Sequence, residues 1–287
     1  MNSLEPKLQT GAAAAPVLTL QNVDKTFGTG RGAKPVHALS DFSLTVREGD
    51  FLSLLGPSGC GKSTALRLVA NLMRPTSGRI VWGNSSSAGR AAKPAAGDLG
   101  VVFQEPTLMP WATVEDNVYL PFRLSGESRP QVRDRIHEML ALVGLSGFEQ
   151  SYPRELSGGM KMRVSIARAM VTRPKLILMD EPFAALDEIT RFKLNNDLLA
   201  MQSRIGCTVV FVTHSVFESV FLSNRVVVMA ARPGRQIAEI EITEPYPRSE
   251  DFRTTPEYAA HCREASEALH AAMDAGRAHT NESMAAA

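Results

Sequence analysis

Between Val17 and Phe27 apolar and polar positions alternate, which predicts a half-buried strand. The alternation resumes from Ala38 to Arg47 and stops at the turn Glu48-Gly49-Asp50, after a Gly-rich, basic turn from Gly28 to Pro35. Phe51-Leu52-Ser53-Leu54-Leu55 reads differently. An almost continuous apolar run of this length suits a strand covered on both faces. Lys175 to Met179 and Cys207 to Val212 are similar runs flanked by helical patterns, the mark of buried parallel strands. Gly100 to Gln104 predicts a further short strand that ends on a polar residue. From about Glu105 to Gly158 the periodicity turns helical, and Arg129 to Val143 sets Val132, Ile136, Met139, Leu140 and Val143 on one face. Residues 83–98, rich in Ser, Gly, Ala and Pro, predict a surface loop. Beyond about Arg248 the pattern weakens, although Pro256 to Ala272 can form one amphipathic helix.

The segment after the first buried run carries the chemistry. Gly56-Pro57-Ser58-Gly59-Cys60-Gly61-Lys62-Ser63-Thr64 is a complete G-x-x-x-x-G-K-[ST] phosphate-binding loop. The strand before it and the helical pattern from Ser63 to Val69 after it supply the context its mechanism needs. Backbone N–H groups and a helix N-terminus can then be aimed at a polyphosphate. Lys62 is expected to reach the terminal phosphates and Ser63 to ligate Mg²⁺, so the chain is expected to bind a nucleoside triphosphate. Cys60, beside Lys62 and a helix N-terminus, is expected to have a lowered thiol pKa and to be shielded from alkylation by MgATP.

Two further segments fit this loop. Leu176 to Met179 leads into Asp180-Glu181, and in a parallel sheet such a strand end opens on the ligand crevice. Asp180 is then placed to bind Mg²⁺ and Glu181 to polarise the attacking water. Ser157-Gly158-Gly159 opens a predicted helix that runs to about Met170, and offers a hydroxyl, free N–H donors and a positive macrodipole end.

Composition adds boundaries. The 287 residues suffice for one large α/β domain or a core with a smaller subdomain. A net charge of +1, from 31 basic and 30 acidic residues, gives no nucleic-acid footprint. No apolar run approaches the ~18–20 residues that span a bilayer. The N-terminus lacks a basic region followed by an apolar core, so no signal peptide is expected. Cys60, Cys207 and Cys262 are scattered, which suits a reducing compartment. A cytosolic protein follows, with any membrane role exerted through a partner.

Leu156-Ser157-Gly158-Gly159, lying between the phosphate loop and Asp180-Glu181-Pro182, resembles the signature sequence of the ATP-binding cassette (ABC) ATPases. The resemblance covers roughly residues 17–245. It implies that Gln104 senses Mg²⁺ and the attacking water, that Ala185-Leu186-Asp187 forms the D-loop at a dimer interface, that His214 contacts the γ-phosphate, and that Phe27 stacks on adenine. The fold it implies is α/β: a P-loop core with a mostly parallel sheet, an N-terminal antiparallel β subdomain and a helical signature subdomain. Residues 1–16 are then a disordered extension, 17–250 the ATPase domain with its helical subdomain at about 105–160, and 251–287 a helical or disordered tail.

Three segments narrow the resemblance to ATPase subunits of nitrate, sulfonate and taurine importers: Val102 to Trp111, Pro182 to Arg191, and Val227 to Gly234. Met160 stands where the wider family has Gln, and Ser215 follows His214 where Asp is commoner. The resemblance implies a head-to-tail homodimer in which ATP held by Lys62 and Ser63 of one copy is capped by Ser157 and Gly159 of the other. It also implies membrane permease subunits, an extracytoplasmic solute-binding protein, and a place on the cytoplasmic face of the inner membrane. Leu108, Met109, Pro110 and Trp111 form an apolar cluster where such a permease would dock, with Leu108 expected inside the helical subdomain. A soluble ABC ATPase of DNA repair or translation is the alternative, disfavoured by a single cassette without long insertions. A non-hydrolysing scaffold is disfavoured by the presence of both Glu181 and His214.

Overall fold

The alternation in β1 (Pro16–Phe27) and β2 (Val36–Arg47) is realised as an antiparallel pair with Leu20 opposite Leu44 and Phe27 opposite Val36. The computed structural model describes residues 14–28, 35–83 and 97–285, so most of the expected N-terminal extension, of the basic turn and of the loop at 83–98 lies outside the described residues. After the fully buried β3 (Phe51–Leu55) come α1 (Lys62–Val69), β4 (Ser77–Trp82) and β5 (Leu99–Val102). β4 completes a three-stranded sheet of order β2-β1-β4. Its residues are all exposed or half-buried, as on an edge strand, and its apolar run, Ile80-Val81-Trp82, is too short to announce it in the sequence.

Three helices follow: α2 (Val114–Leu124), α3 (Arg129–Leu142) and α4 (Gly158–Met170). Thr113 caps α2 by accepting from the Asp116 N–H, and Ser128 with Gln131 closes a capping box on α3. The helical periodicity expected from Glu105 is realised only from Val114. Between Phe103 and Thr113 the backbone is irregular. Pro106 and Pro110 lack N–H donors there, and the Asn117 side chain engages main-chain groups of Met109, Ala112 and Thr113.

β6 (Leu176–Asp180), α5 (Glu188–Ile205), β7 (Thr208–Thr213), α6 (Val216–Leu222), β8 (Arg225–Ala230) and β9 (Arg235–Glu241) complete a six-stranded sheet of order β5-β6-β7-β3-β8-β9. All its pairings are parallel except β8 with β9. Successive side chains of its inner strands feed opposite cores, as a period of two requires. Phe51, Ile177, Met179, Val209, Phe211, Val226 and Val228 pack toward the helical side. Leu52, Leu54, Leu178, Val210, Val212 and Val227 pack with α1 against the antiparallel sheet. This two-sided burial explains why these strands read as unbroken apolar runs. α7 (Pro256–Ala285) runs past Ala272, where the amphipathic pattern was expected to end, and lies along α6 and β8. Tyr258 Oη there donates to the Phe217 carbonyl at 3.1 Å.

The centre of the helical-side core is a ring cluster, with Phe211 5.9 Å from Phe51 and 5.8 Å from Phe183 between centroids. Phe211 is fully buried, so Phe211→Ala is expected to destabilise by about 3–5 kcal/mol through lost transfer energy and the cavity left behind. A urea unfolding midpoint that falls accordingly at constant m-value checks this.

Candidate functional site

Strand register gathers the chemistry at one edge of the sheet. Leu55 pairs with Thr213, Asp180 with Val212, and Val102 with Met179, all in parallel ladders. The residues that follow each strand therefore emerge together: Gly56 after β3, His214 after β7, Glu181 after β6 and Gln104 shortly after β5. A crevice at the carboxyl ends of parallel strands is where this architecture holds ligands.

The phosphate loop turns tightly between β3 and α1. Gly61 is the residue before the helix, at φ +94°, and a Cβ on it would lie 2.7 Å from the Ala38 carbonyl of β2. A Cβ on Gly56 would lie 2.7 Å from both the Cys60 Sγ and the Met229 carbonyl, so this loop admits no side chain at either end. No side chain caps α1, which leaves its first N–H groups for a ligand. Ser58 and Gly59 are exposed at the loop tip, and Pro57, Ser63 and Thr64 are half-buried behind it.

Lys62 is buried and donates to the Gly56 carbonyl at 2.7 Å and the Pro57 carbonyl at 3.1 Å. Its ammonium lies 3.8 Å from Glu181 Oε1. Ser63 Oγ donates to Asp180 Oδ1 at 2.8 Å, and His214 Nδ1 meets Glu181 Oε2 at 3.0 Å. Glu181 sits at φ +47°, a strained setting for a side-chain-bearing residue, held by its N–H donating to the Val212 carbonyl. Burial pushes the Asp180 carboxyl up; the Ser63 hydroxyl opposes this, and the Glu181 charge adds to it. A hydroxyl and a carboxylate in contact, beside a loop whose N–H groups suit polyphosphate oxygens, form the hard oxygen set that suits Mg²⁺. Gln104 is exposed beyond the end of β5, on the same sheet edge.

Other expected residues lie elsewhere. Phe27 is 40% exposed, with Lys25 Nζ 5.1 Å above its ring, so it is a surface aromatic and no part of the core. Ser157 caps α4 by accepting from the Met160 N–H at 3.3 Å, and Gly158 and Gly159 face Leu186 and Thr190. That places Ser157, Gly158 and Gly159 on a helix separate from the phosphate loop, beside the segment Ala185-Leu186-Asp187. Asp187 in turn caps α5 by accepting from the Thr190 N–H. Ser215 accepts from the Glu218 N–H at 3.3 Å to cap α6, a task Ser and Asp perform alike. Leu108 packs on the helical-side core, whereas Trp111 is 77% exposed.

Cys60 is corrected. Its side chain points inward and is fully buried, and burial raises the thiol pKa against the weaker opposing pull of Lys62. Helix N-termini and lysines lower a thiol pKa only where the sulfur is solvated enough to ionise. Sequence reading also missed Glu218. This buried carboxylate accepts from Thr213 Oγ1 at 2.6 Å and lies 3.7 Å from Arg191 Nε, while Arg191 Nη2 donates to the Leu186 carbonyl. It ties the strand that precedes His214 to the segment at Leu186. One Glu in a short helix carries no sequence signal of this.

A glycine-rich loop between a central parallel strand and a helix, with acidic residues at the end of a parallel strand one place removed in the same sheet, defines a P-loop nucleoside triphosphatase. Residues 39–184 match the family described as ABC transporter. The chain is 43% identical over 239 residues to the aliphatic sulfonates import ATP-binding protein SsuB of Bacillus licheniformis, covering 83% of this chain and 89% of that protein. It is 43% identical over 245 residues to the nitrate import ATP-binding protein NrtC of Synechococcus elongatus, covering 84% of this chain and 36% of that protein. Among solved structures, the dimeric post-hydrolysis cassette MJ0796 bound to ADP and Pi is 34% identical at a TM-score of 0.66, covering 78% of this chain and 98% of that one. The chain belongs to the ABC transporter family and is an ATP-binding ATPase, similar to subunits named for sulfonate and nitrate import.

The burial of Cys60 yields an expectation opposite to that from sequence. In the native protein at pH 8 its alkylation by a maleimide is expected to be at least about a hundredfold slower than that of an exposed thiol with an ordinary pKa. MgATP should leave the rate unchanged. Peptide mass spectrometry after timed labelling checks both.

Proposed function

We propose that the chain is the energy-coupling subunit of an importer for a small solute such as nitrate, a sulfonate, taurine or a related compound, acting as an ATP-sandwich homodimer on a membrane permease. The observation that carries this reading is the separation of two half-sites. Lys62, Ser63, Asp180, Glu181 and His214 converge on one sheet edge, whereas Ser157 to Gly159 open a different helix. A second copy turned head to tail would bring its signature helix over this copy's phosphate loop, and two-fold symmetry makes both sites equivalent. Exposed Ile189 and Phe217, on the first turns of α5 and α6, suit such an interface.

In the proposed mechanism the loop N–H groups and Lys62 hold the β- and γ-phosphates, and Phe27 receives the adenine. Ser63, Asp180 and Gln104 are the residues that would hold Mg²⁺, which would supply neutralisation of the phosphate charge. Glu181 orients the attacking water, and its strained backbone and its contact with His214 keep it aimed across the site. His214 then reports the γ-phosphate. Charge-assisted hydrogen bonds of about 1.5–3 kcal/mol each, made by the signature to that phosphate and lost with it, provide the difference between closed and open dimers.

Among the described residues no helix is long and apolar enough to cross a membrane, so the transport role requires a permease. The subunit would sit on the cytoplasmic face of the inner membrane, with an extracytoplasmic protein selecting the solute. Trp111 is the side chain proposed to meet the permease.

Glu181→Gln is expected to bind ATP, remain dimeric in MgATP on size-exclusion chromatography, and hydrolyse about 10²–10⁴-fold more slowly. Near-normal turnover would overturn the assignment of the water-orienting group. The same variant, purified from native membranes in MgATP, should bring a multi-span permease with it. A soluble or nucleic-acid partner in its place would overturn the transport reading. Trp111→Ala should lose the permease under the same conditions.

A further inference from the structure

The irregular segment between Gln104 and α2 is held from both ends. On one side Arg168, near the C-terminal end of α4, donates from Nη1 to the Thr107 carbonyl at 2.9 Å, and from Nη2 to the Pro106 carbonyl at 2.9 Å and Thr107 Oγ1 at 3.1 Å. On the other side the fully buried Asn117 of α2 accepts from the Met109 N–H at 2.8 Å. The Asn117 amide then donates to the carbonyls of Met109 and Ala112 at 3.2 Å and of Thr113 at 2.9 Å. Leu108 anchors the middle in the core. Trp111 alone among the large apolar side chains of this segment is left outside, 77% exposed.

Two details separate this from ordinary loop packing. Thr107 adopts φ +46°, a region a β-branched residue enters only under constraint, and both polar groups that Arg168 grips on it belong to that residue. Burial lowers the Arg168 guanidinium, and among the described residues no carboxylate offsets this, so its hydrogen bonds go to two carbonyls and a hydroxyl where a salt bridge would be the usual compensation. A planar fork reaching adjacent carbonyls is a geometry that Lys cannot copy in full.

We propose that Arg168 is a positioning residue that fixes residues 106–112 as a rigid docking platform, joined through α4 to the signature at Ser157. The proposal rests on the reading of Trp111 as the permease contact. α4 spans about 16 Å from Ser157 to Arg168 at 1.5 Å per residue. When Ser157 and Gly159 grip a nucleotide held by the partner copy, the helix moves as a unit, and Arg168 carries Pro106 and Thr107 with it. Asn117 keeps the far end of the platform in register, so Trp111 is displaced instead of the loop flexing. A flexible loop would dissipate the same displacement, whereas a rigid element with two positions transmits it.

The test uses the full-length chain and its co-purified permease complex in proteoliposomes. Hydrogen exchange on Arg168→Gln is expected to speed up about tenfold at the Met109 and Ala112 amides, the equivalent of one charge-assisted hydrogen bond, while α4 keeps wild-type protection. Permease-stimulated ATP hydrolysis and transport should fall about tenfold, with basal kcat and KM within about twofold of wild type. Arg168→Lys, which keeps the charge and part of the grip, should lie between and keeps the test open if the Gln variant folds poorly. Unchanged exchange at Met109 and Ala112, or equal losses of basal and stimulated rates, would overturn the proposal. Trp111→Ala separates the two readings. Its loss of stimulation while Arg168→Gln retains it sinks the platform but leaves the docking surface standing. Retention by both variants removes the docking surface itself, and the platform with it.

Discussion

In-register parallel pairing of β3 with β7 and β8 is the constraint on which the rest of this molecule depends. Ladder hydrogen bonds fix where each strand ends relative to its neighbours. Leu55, Thr213 and Asp180 therefore finish at one level, and the loops that follow them have no choice but to meet. The phosphate loop inherits its position from this pairing. Its conformation comes from close packing, because β2 and β8 approach the Gly61 and Gly56 positions too closely for a Cβ. Lys62 and Ser63 then point into the crevice simply because α1 starts there. One backbone pattern thus places an ammonium, a hydroxyl, two carboxylates and an imidazole within reach of one polyphosphate.

Around that edge the molecule uses buried polar contacts to join segments that must not move independently. Glu181 keeps a strained backbone because a main-chain bond to Val212 and a side-chain contact to His214 leave it no relaxed alternative. Glu218 links Thr213 to Arg191, and Arg191 to the Leu186 carbonyl, so the strand before the histidine and the segment at Leu186 share one buried joint. Farther from the site, Arg225 at the start of β8 joins the buried Asp50 at 2.5 Å and the more exposed Glu239 of β9. Such pairs are costly to break because the partner left behind is a desolvated charge.

Much of the fold was legible in the sequence, for reasons specific to its elements. β3, β6 and β7 lie between two cores, so their two-sided burial appears as apolar runs. β4 was not legible, since an edge strand with half-exposed residues leaves no periodic trace. The stretch from Glu105 to Thr113 looked helical by its periodicity, yet two prolines and the side chain of Asn117 direct its main chain elsewhere. Cys60 shows the same limit at the level of one atom. Its neighbours in sequence suggested a reactive thiolate, but its side chain is buried in the core, where desolvation outweighs the Lys62 ammonium 3.8 Å away.

By itself the sequence determined the ligand class and nominated the groups proposed to serve it. Phosphate chemistry demands a glycine-rich turn, a lysine, a hydroxyl and carboxylates in a local order that the chain spells out between Gly56 and Thr64 and again at Asp180 and Glu181. Only the tertiary structure decided which distant residues share a site, which side of a strand a thiol takes, and what holds Glu181, Thr107 and Trp111 where they are. The physical reason is one of range. Backbone preference and apolar periodicity act over a few residues and are written locally. Burial, strain and long-range hydrogen bonds depend on partners up to a hundred or more positions away, such as Ser63 with Asp180, and exist only once the sheet has formed.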